Sequence, residues 1–168
     1  MKSPLRLGGM LASLWLVLLG GLRAEIVLDD AGRFAVDMDA PQNRSKTEET
    51  PVIHILLHEE GATAGYIVSY DDLPPGSGAK VNLVELFKDA MTANARSTDS
   101  EVVSSGEHQL GDVRGWAFTS LSKDGKLSSH GRYYLVGDRF YQVVFMGPKG
   151  SDTGEKCLHF LNSFRLLH

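Results

Sequence analysis

The chain has 168 residues, 17 lysines and arginines against 21 aspartates and glutamates, and one cysteine. One cysteine excludes an internal disulfide, so the core alone must hold the fold. A net charge of −4 without a basic run argues against nucleic acid, whose affinity comes mostly from phosphate neutralisation, and against an anionic membrane surface.

The first 24 residues read as a leader. Lys2 and Arg6 precede an uncharged run from Gly8 to Leu22, closed by Arg23 and Ala24. A charged start, an apolar middle and a small exit residue are the parts of a secretory signal peptide. The apolar run would rise only about 22 Å as a helix at ~1.5 Å per residue, short of the ~20 residues that a bilayer core needs. The reading is therefore a signal peptide over 1–24 and one domain over 25–168, exported to a periplasmic or extracellular space, with no stable membrane insertion after cleavage. An uncleaved N-terminal anchor is the alternative, because Leu22 is large for the −3 position and Arg23 is charged. Cys157 lies far from the N-terminus, which argues against a lipoprotein anchor. The leader takes three basic residues (Lys2, Arg6, Arg23) and no acidic one, so residues 25–168 hold 14 against 21, a net charge of −7.

Glu25 to Leu28 suggests a short strand, Asp29 to Gly32 a turn, and the alternation of Arg33 to Met38 a second strand ended by Pro41. Gln42 to Glu49 is polar and reads as a loop; within it Asn43-Arg44-Ser45 is a glycosylation sequon, meaningful only in a eukaryotic host. Val52 to His58 and Ala64 to Tyr70, joined through Glu59-Glu60-Gly61, read as a hairpin. Asp71 to Lys80 is a loop with two prolines and two glycines. A helix follows, capped by Asn82, with Leu83, Leu86, Phe87, Ala90 and Met91 on one stripe.

The second half reads as a meander of four strands: Val102 to Leu110, Arg114 to Leu121, Ser128 to Val136 and Arg139 to Met146. Gly137-Asp138 is a two-residue hairpin signal. The last strand is apolar on both alternating faces, so it is expected at the centre of a covered sheet. Asp152, with Glu155 three residues on, is placed as the cap of a final helix whose buried stripe is Cys157, Leu158 and Leu161. Phe164 and Leu166 close the chain in extended form. The sum is an α+β fold, a single antiparallel sheet with helices on both faces, an α/β/α sandwich.

Several segments together resemble one family. Gly32-Arg33-Phe34-Ala35-Val36, a helix from Leu83, Gly115-Trp116, Arg132-Tyr133-Tyr134-Leu135, Arg139-Phe140-Tyr141-Gln142 and Phe160-Leu161-Asn162-Ser163-Phe164-Arg165 are similar to bacterial members of the PsbP-like fold. That fold is shared by the extrinsic PsbP subunit of photosystem II and a Ran-binding nuclear import factor. The resemblance implies a protein that binds and stabilises protein partners rather than an enzyme. It transfers no functional residue, and the lipid-bearing cysteine of some bacterial relatives is missing.

Chemistry-bearing residues are sparse. His54 and His58 share a strand face about 13 Å apart at ~3.3 Å per residue, too far for ligands that must each lie ~2 Å from one zinc ion. Ser129 and His130 are neighbours on a strand and point to opposite faces. No nucleophile elbow is present. Asp29-Asp30, Glu59-Glu60 and Asp71-Asp72 sit at turns. Gly147 to Gly154 lacks the Gly-Lys-Ser/Thr end of a phosphate loop. Cys157 reads as a small buried hydrophobe. No cofactor or metal is expected.

The most site-like segment is the loop after Tyr70, where Asp71, Asp72, Leu73, Pro74 and Pro75 are the candidate partner contacts, on a loop longer than a strand-to-helix join needs. The expected function is an exported, non-catalytic binding or accessory module that contacts a protein partner in the cell envelope. The alternatives are a secreted hydrolase with a site scattered in sequence, or a structural envelope component.

Overall fold

A computed structural model describes residues 25–38, 43–47, 53–60 and 64–167. The expected leader and its cleavage site, Pro41, the turn at Gly61 and the terminal His168 lie outside the described residues. In chain order the elements are β1 (Glu25–Asp29), β2 (Phe34–Met38), β3 (Asn43–Thr47), β4 (Ile53–Glu60), β5 (Ala64–Asp72), α1 (Leu83–Ser97), β6 (Ser100–Leu110), β7 (Val113–Ser122), β8 (Leu127–Val136), β9 (Arg139–Pro148), α2 (Glu155–Ser163) and β10 (Arg165–Leu166). Short 3-10 turns occupy Gly78–Lys80 and Ser151–Thr153. Among the described residues no helix is long and apolar enough to cross a membrane.

Seven strands form one antiparallel sheet in the order β3-β4-β5-β9-β8-β7-β6. β9 is the middle strand, as its two-faced apolar sequence requires. Tyr141, Val143 and Phe145 enter one core, Phe140 and Val144 the other. The hairpin glycines Gly111 and Gly137 take positive φ, 58° and 61°, which lets β6–β7 and β8–β9 turn in two residues.

The expected single sheet is corrected: β1, β2 and β10 form a second, three-stranded antiparallel sheet. β10 pairs Arg165 with Ala35 and Leu166 with Phe34. This small sheet lies on the large one instead of extending its edge, because Val27, Phe34, Val36 and Met38 are buried in the same core as Tyr66, Val68 and Tyr141. α2 belongs to that layer: Cys157, Phe160 and Leu161 enter the core, whereas Leu158, expected in the buried stripe, is exposed, and Ser163 Oγ accepts a hydrogen bond from the Asp37 N–H (2.8 Å). α1 covers the opposite face through Phe87, over Phe118, Tyr133 and Phe140.

Two local expectations are also corrected. The polar segment 43–47 is a strand, β3, paired with β4 from Asn43–Leu57 to Thr47–Ile53. An edge strand is held by backbone hydrogen bonds and needs no apolar alternation. Asp152 does not cap α2. It sits in the 3-10 turn, and Gly154, with no side-chain bond, is the N-cap residue. Asn82 does cap α1, accepting from the N–H groups of Val84 (3.2 Å) and Glu85 (3.4 Å).

Candidate functional site

The loop after β5 is fastened to the β8–β9 hairpin by one residue. The Asp138 carboxylate accepts hydrogen bonds from the N–H groups of Gly76 and Gly78 (both 2.7 Å), and its main-chain oxygen accepts from Leu73 N–H (2.8 Å). Those N–H contacts hold the Asp138 carboxyl below its ordinary pKa of 3.8. Gly78 lies so close to the hairpin that an added Cβ would fall 1.9 Å from the Gly137 carbonyl oxygen, so only glycine fits. The loop is therefore a pinned platform, with Pro74 and Pro75 exposed on top.

The two aspartates expected to open the loop instead end strand β5, paired with β9, and are sent to different places. Asp72 forms a forked ion pair with Arg139, Nε to Oδ1 at 2.5 Å and Nη2 to Oδ2 at 2.6 Å. The same guanidinium donates to the Ala31 carbonyl (2.6 Å) and lies 4.5 Å from the Tyr70 ring centroid. Beside it Tyr141 donates its hydroxyl to the Gly32 carbonyl at 2.8 Å. Arg139 and Tyr141 thus tie the β1–β2 turn to the large sheet at the foot of the platform. Asp71 registers with Phe140, and its pKa is raised by burial and then by the Asp72 charge. Of the five expected contacts, the structure brings Asp72 and Leu73 into this anchor and leaves Pro74 and Pro75 exposed.

Sequence reasoning missed Asp138, Arg139 and Gly78. Gly137-Asp138 announces a hairpin, but nothing in the sequence says that the carboxylate reaches a loop some sixty residues upstream.

The other candidates are bound into the frame. β4 is a strand throughout, so His54 and His58 are not one helical turn apart. His130 Nδ1 and Cys157 Sγ both meet the main-chain oxygen of Asp152, at 3.0 and 3.1 Å. Burial pushes the Cys157 thiol up to about 12, far from a thiolate nucleophile. Asp37, His159 and Ser163 come together where α2 meets β2, but they are not connected as a triad. His159 Nε2 meets Asp37 Oδ2 at 2.8 Å, while Ser163 donates to the Phe160 carbonyl at 2.7 Å. Among the described residues no His, Cys, Asp and Glu group is arranged to hold a metal ion.

No family model matches the sequence, and no curated protein matches it. Solved structures do match. The solution structure of cyanobacterial PsbP (CyanoP) from Synechocystis sp. PCC 6803 superposes with a TM-score of 0.60 at 10% identity, covering 88% of this chain and 95% of that one. A crystal structure from Bacteroides thetaiotaomicron VPI-5482 aligns at TM-score 0.49 and 12% identity, over 88% of this chain and 50% of that one, too distant to add to the first. The cyanobacterial likeness shows a PsbP-like fold, and at that identity the fold alone.

Proposed function

We propose that the protein is an exported accessory module that contacts a protein partner of the cell envelope through the platform formed by residues 71–80 and the β8–β9 hairpin. The leader-like first 24 residues support export, and the PsbP-like fold is compatible with a binding role. The observation that carries the reading is the platform itself. An exposed Pro74-Pro75 tip is held by three hydrogen bonds to a single residue, so little conformational entropy remains to be lost on docking.

The test is affinity capture from the native envelope fraction with three baits: the wild-type protein, a variant lacking Leu73 to Ser77, and the length-preserving double variant Pro74→Ser, Pro75→Ser. A partner retained by the wild type and lost from both variants, each with an unchanged circular dichroism spectrum, supports the reading. Equal capture by all three overturns it.

A further inference from the structure

The large sheet ends on two unlike edges. β3, at one end, has five residues, and Arg44 and Lys46 stand among them, the kind of charged guard that natural sheets set against stray pairing. β6, at the other end, has eleven residues and no proline, lysine or arginine. Its inner side pairs with β7, and from Ser104–Thr119 to Leu110–Val113 that register is unbroken. Among the described residues the main chain from Glu101 to Leu110 bonds nothing but β7, so the N–H and C=O groups of alternate residues face outward. The pairing of Gly115 with Tyr134 puts the β6–β7 turn at the platform end of the sheet, so the start of β6 lies at the opposite end.

At that opposite end the edge has a hollow beside it. Val103 is an extra residue, bulged between Val102 and Ser104, and at 67% it is the most exposed large apolar side chain among the described residues. An open hollow of about 570 Å³ adjoins it, lined by Glu101, Val102, Val103, Leu121 and Lys123 among others. Charge along the edge is acidic. Asp99, Glu101, Glu107 and Asp112 stand against Lys123 and Arg114, which already pair with Asp99 (2.5 Å) and Glu107 (3.0 Å). Burial lowers the His108 pKa, so its imidazole adds no positive charge at pH 7.

We propose that β6 is a strand-addition site for an extended, basic segment of a partner protein. Main-chain hydrogen bonds along Ser104–Leu110 supply the affinity, and the hollow at Val103 takes an apolar side chain, the usual division of labour when a strand adds to a sheet edge. Lysine or arginine on the segment meets Glu101 and Glu107. The same two glutamates shut out a second copy of this chain. A two-fold copy would pair antiparallel, with one residue opposite itself. Using the whole run 104–110 sets Glu107 against itself, and centring on Ser104 sets Glu101 against Glu107. Centring on Ser105 or Gly106 runs the bulge into the pairing. This edge is separate from the platform, and neither reading depends on the other.

The test is amide NMR with hydrogen exchange on the wild-type protein during titration with synthetic peptides. The probe alternates valine and threonine and carries a lysine near each end. One control has glutamate in place of lysine. A second has alternate main-chain nitrogens methylated, which removes the donors that strand pairing needs. The lysine peptide should shift the Ser104–Leu110 amides saturably and slow the exchange of alternate ones, with Gly76 and Gly78 in the platform unmoved. It should bind about fivefold more tightly than the glutamate peptide, the upper worth of an exposed ion pair, and the methylated peptide should not saturate. The double variant Glu101→Lys, Glu107→Lys should reverse that preference. Val103→Gln should weaken the lysine peptide about fourfold, the worth of one buried methylene. The proposal is overturned if no peptide saturates, if the shifts centre away from β6, or if the methylated peptide binds equally well. An unchanged preference in the folded double variant, or self-association through β6 without peptide, overturns it too.

Discussion

The two faces of the seven-stranded sheet are closed in different ways. On the α2 face, rings interlock: Phe164 stacks on Tyr134 at 5.8 Å and 4°, and lies 5.7 Å from Phe34 and 5.9 Å from Tyr141, while Tyr66 meets Phe145 and Phe160 edge-on. Strands from both sheets and α2 contribute, and the polar tip of Tyr141 is bonded. On the α1 face the helix buries only Phe87 completely, and Leu83, Leu86, Ala90 and Met91 are partly buried. The Trp116 indole N–H and the Ser120 and Tyr133 hydroxyls beneath it are buried without a hydrogen-bond partner among the described residues. Buried polar atoms cost stability when unpaired. The α2 face leaves Arg132 Nε and the Tyr134 hydroxyl unpaired as well, so the difference lies in packing: the α2 face interlocks rings from both sheets and α2, and the α1 face, with one fully buried helix residue, is the weaker seam.

The largest test of that contrast is truncation of one apolar side chain on each face. Phe164→Ala removes a ring shared by three neighbours and should cost about 3–5 kcal/mol in urea unfolding. Leu86→Ala, at a half-buried site, should cost about 1 kcal/mol. Equal losses would end the distinction. A second comparison asks where the α1 face is nonetheless tight. A Cβ at Gly131 would sit 2.1 Å from the Phe118 ring, so Gly131→Ala should destabilise by about 1–3 kcal/mol. Gly106→Ala meets open space and should be neutral or stabilising by up to about 1 kcal/mol.

A smaller effect separates two tyrosines, one on each face, by sign. Tyr141→Phe loses the bond to the Gly32 carbonyl and should cost about 1 kcal/mol, whereas Tyr133→Phe removes an unbonded buried hydroxyl and should leave the melting temperature unchanged or higher. The smallest effect concerns the platform, which belongs to neither face. The folded pKa of Asp138 is depressed, so its grip on Gly76 and Gly78 is complete above the ordinary value of 3.8 and is lost as pH falls below it. The amide signals of Gly76 and Gly78 should titrate together, with a midpoint below 3.8, and should stop doing so in Asp138→Asn.

Much of the frame was legible because it depends on local pattern. The stripe of α1, its Asn82 cap, the four-strand meander and the central place of β9 follow from periodicity and turn chemistry over a few residues. The polar strand β3 was not legible, because its pairing with β4 is a backbone matter to which side-chain alternation is blind. The Asp152 cap failed for a related reason: the capping-box spacing was present, but the chain resets at Gly154 before α2 begins. At the candidate site, the length and prolines of loop 71–80 marked the segment but not its clamp by Asp138, and Cys157 is the buried hydrophobe that its surroundings suggested.

The sequence by itself determined both helices and the strands with an apolar pattern, that residues 25–168 carry net negative charge, and that the core is held without a disulfide. Only the tertiary structure decided that β1, β2 and β10 leave the main sheet to form a second one, that Asp138 clamps the platform, and that Arg132 reaches the end of α2. The physical reason is the range of the interactions. Periodicity and capping act over one or two turns of chain, while the pairing of Leu166 with Phe34 and the reach of Asp138 to Gly76 join residues distant in sequence, whose meeting depends on how the whole core packs.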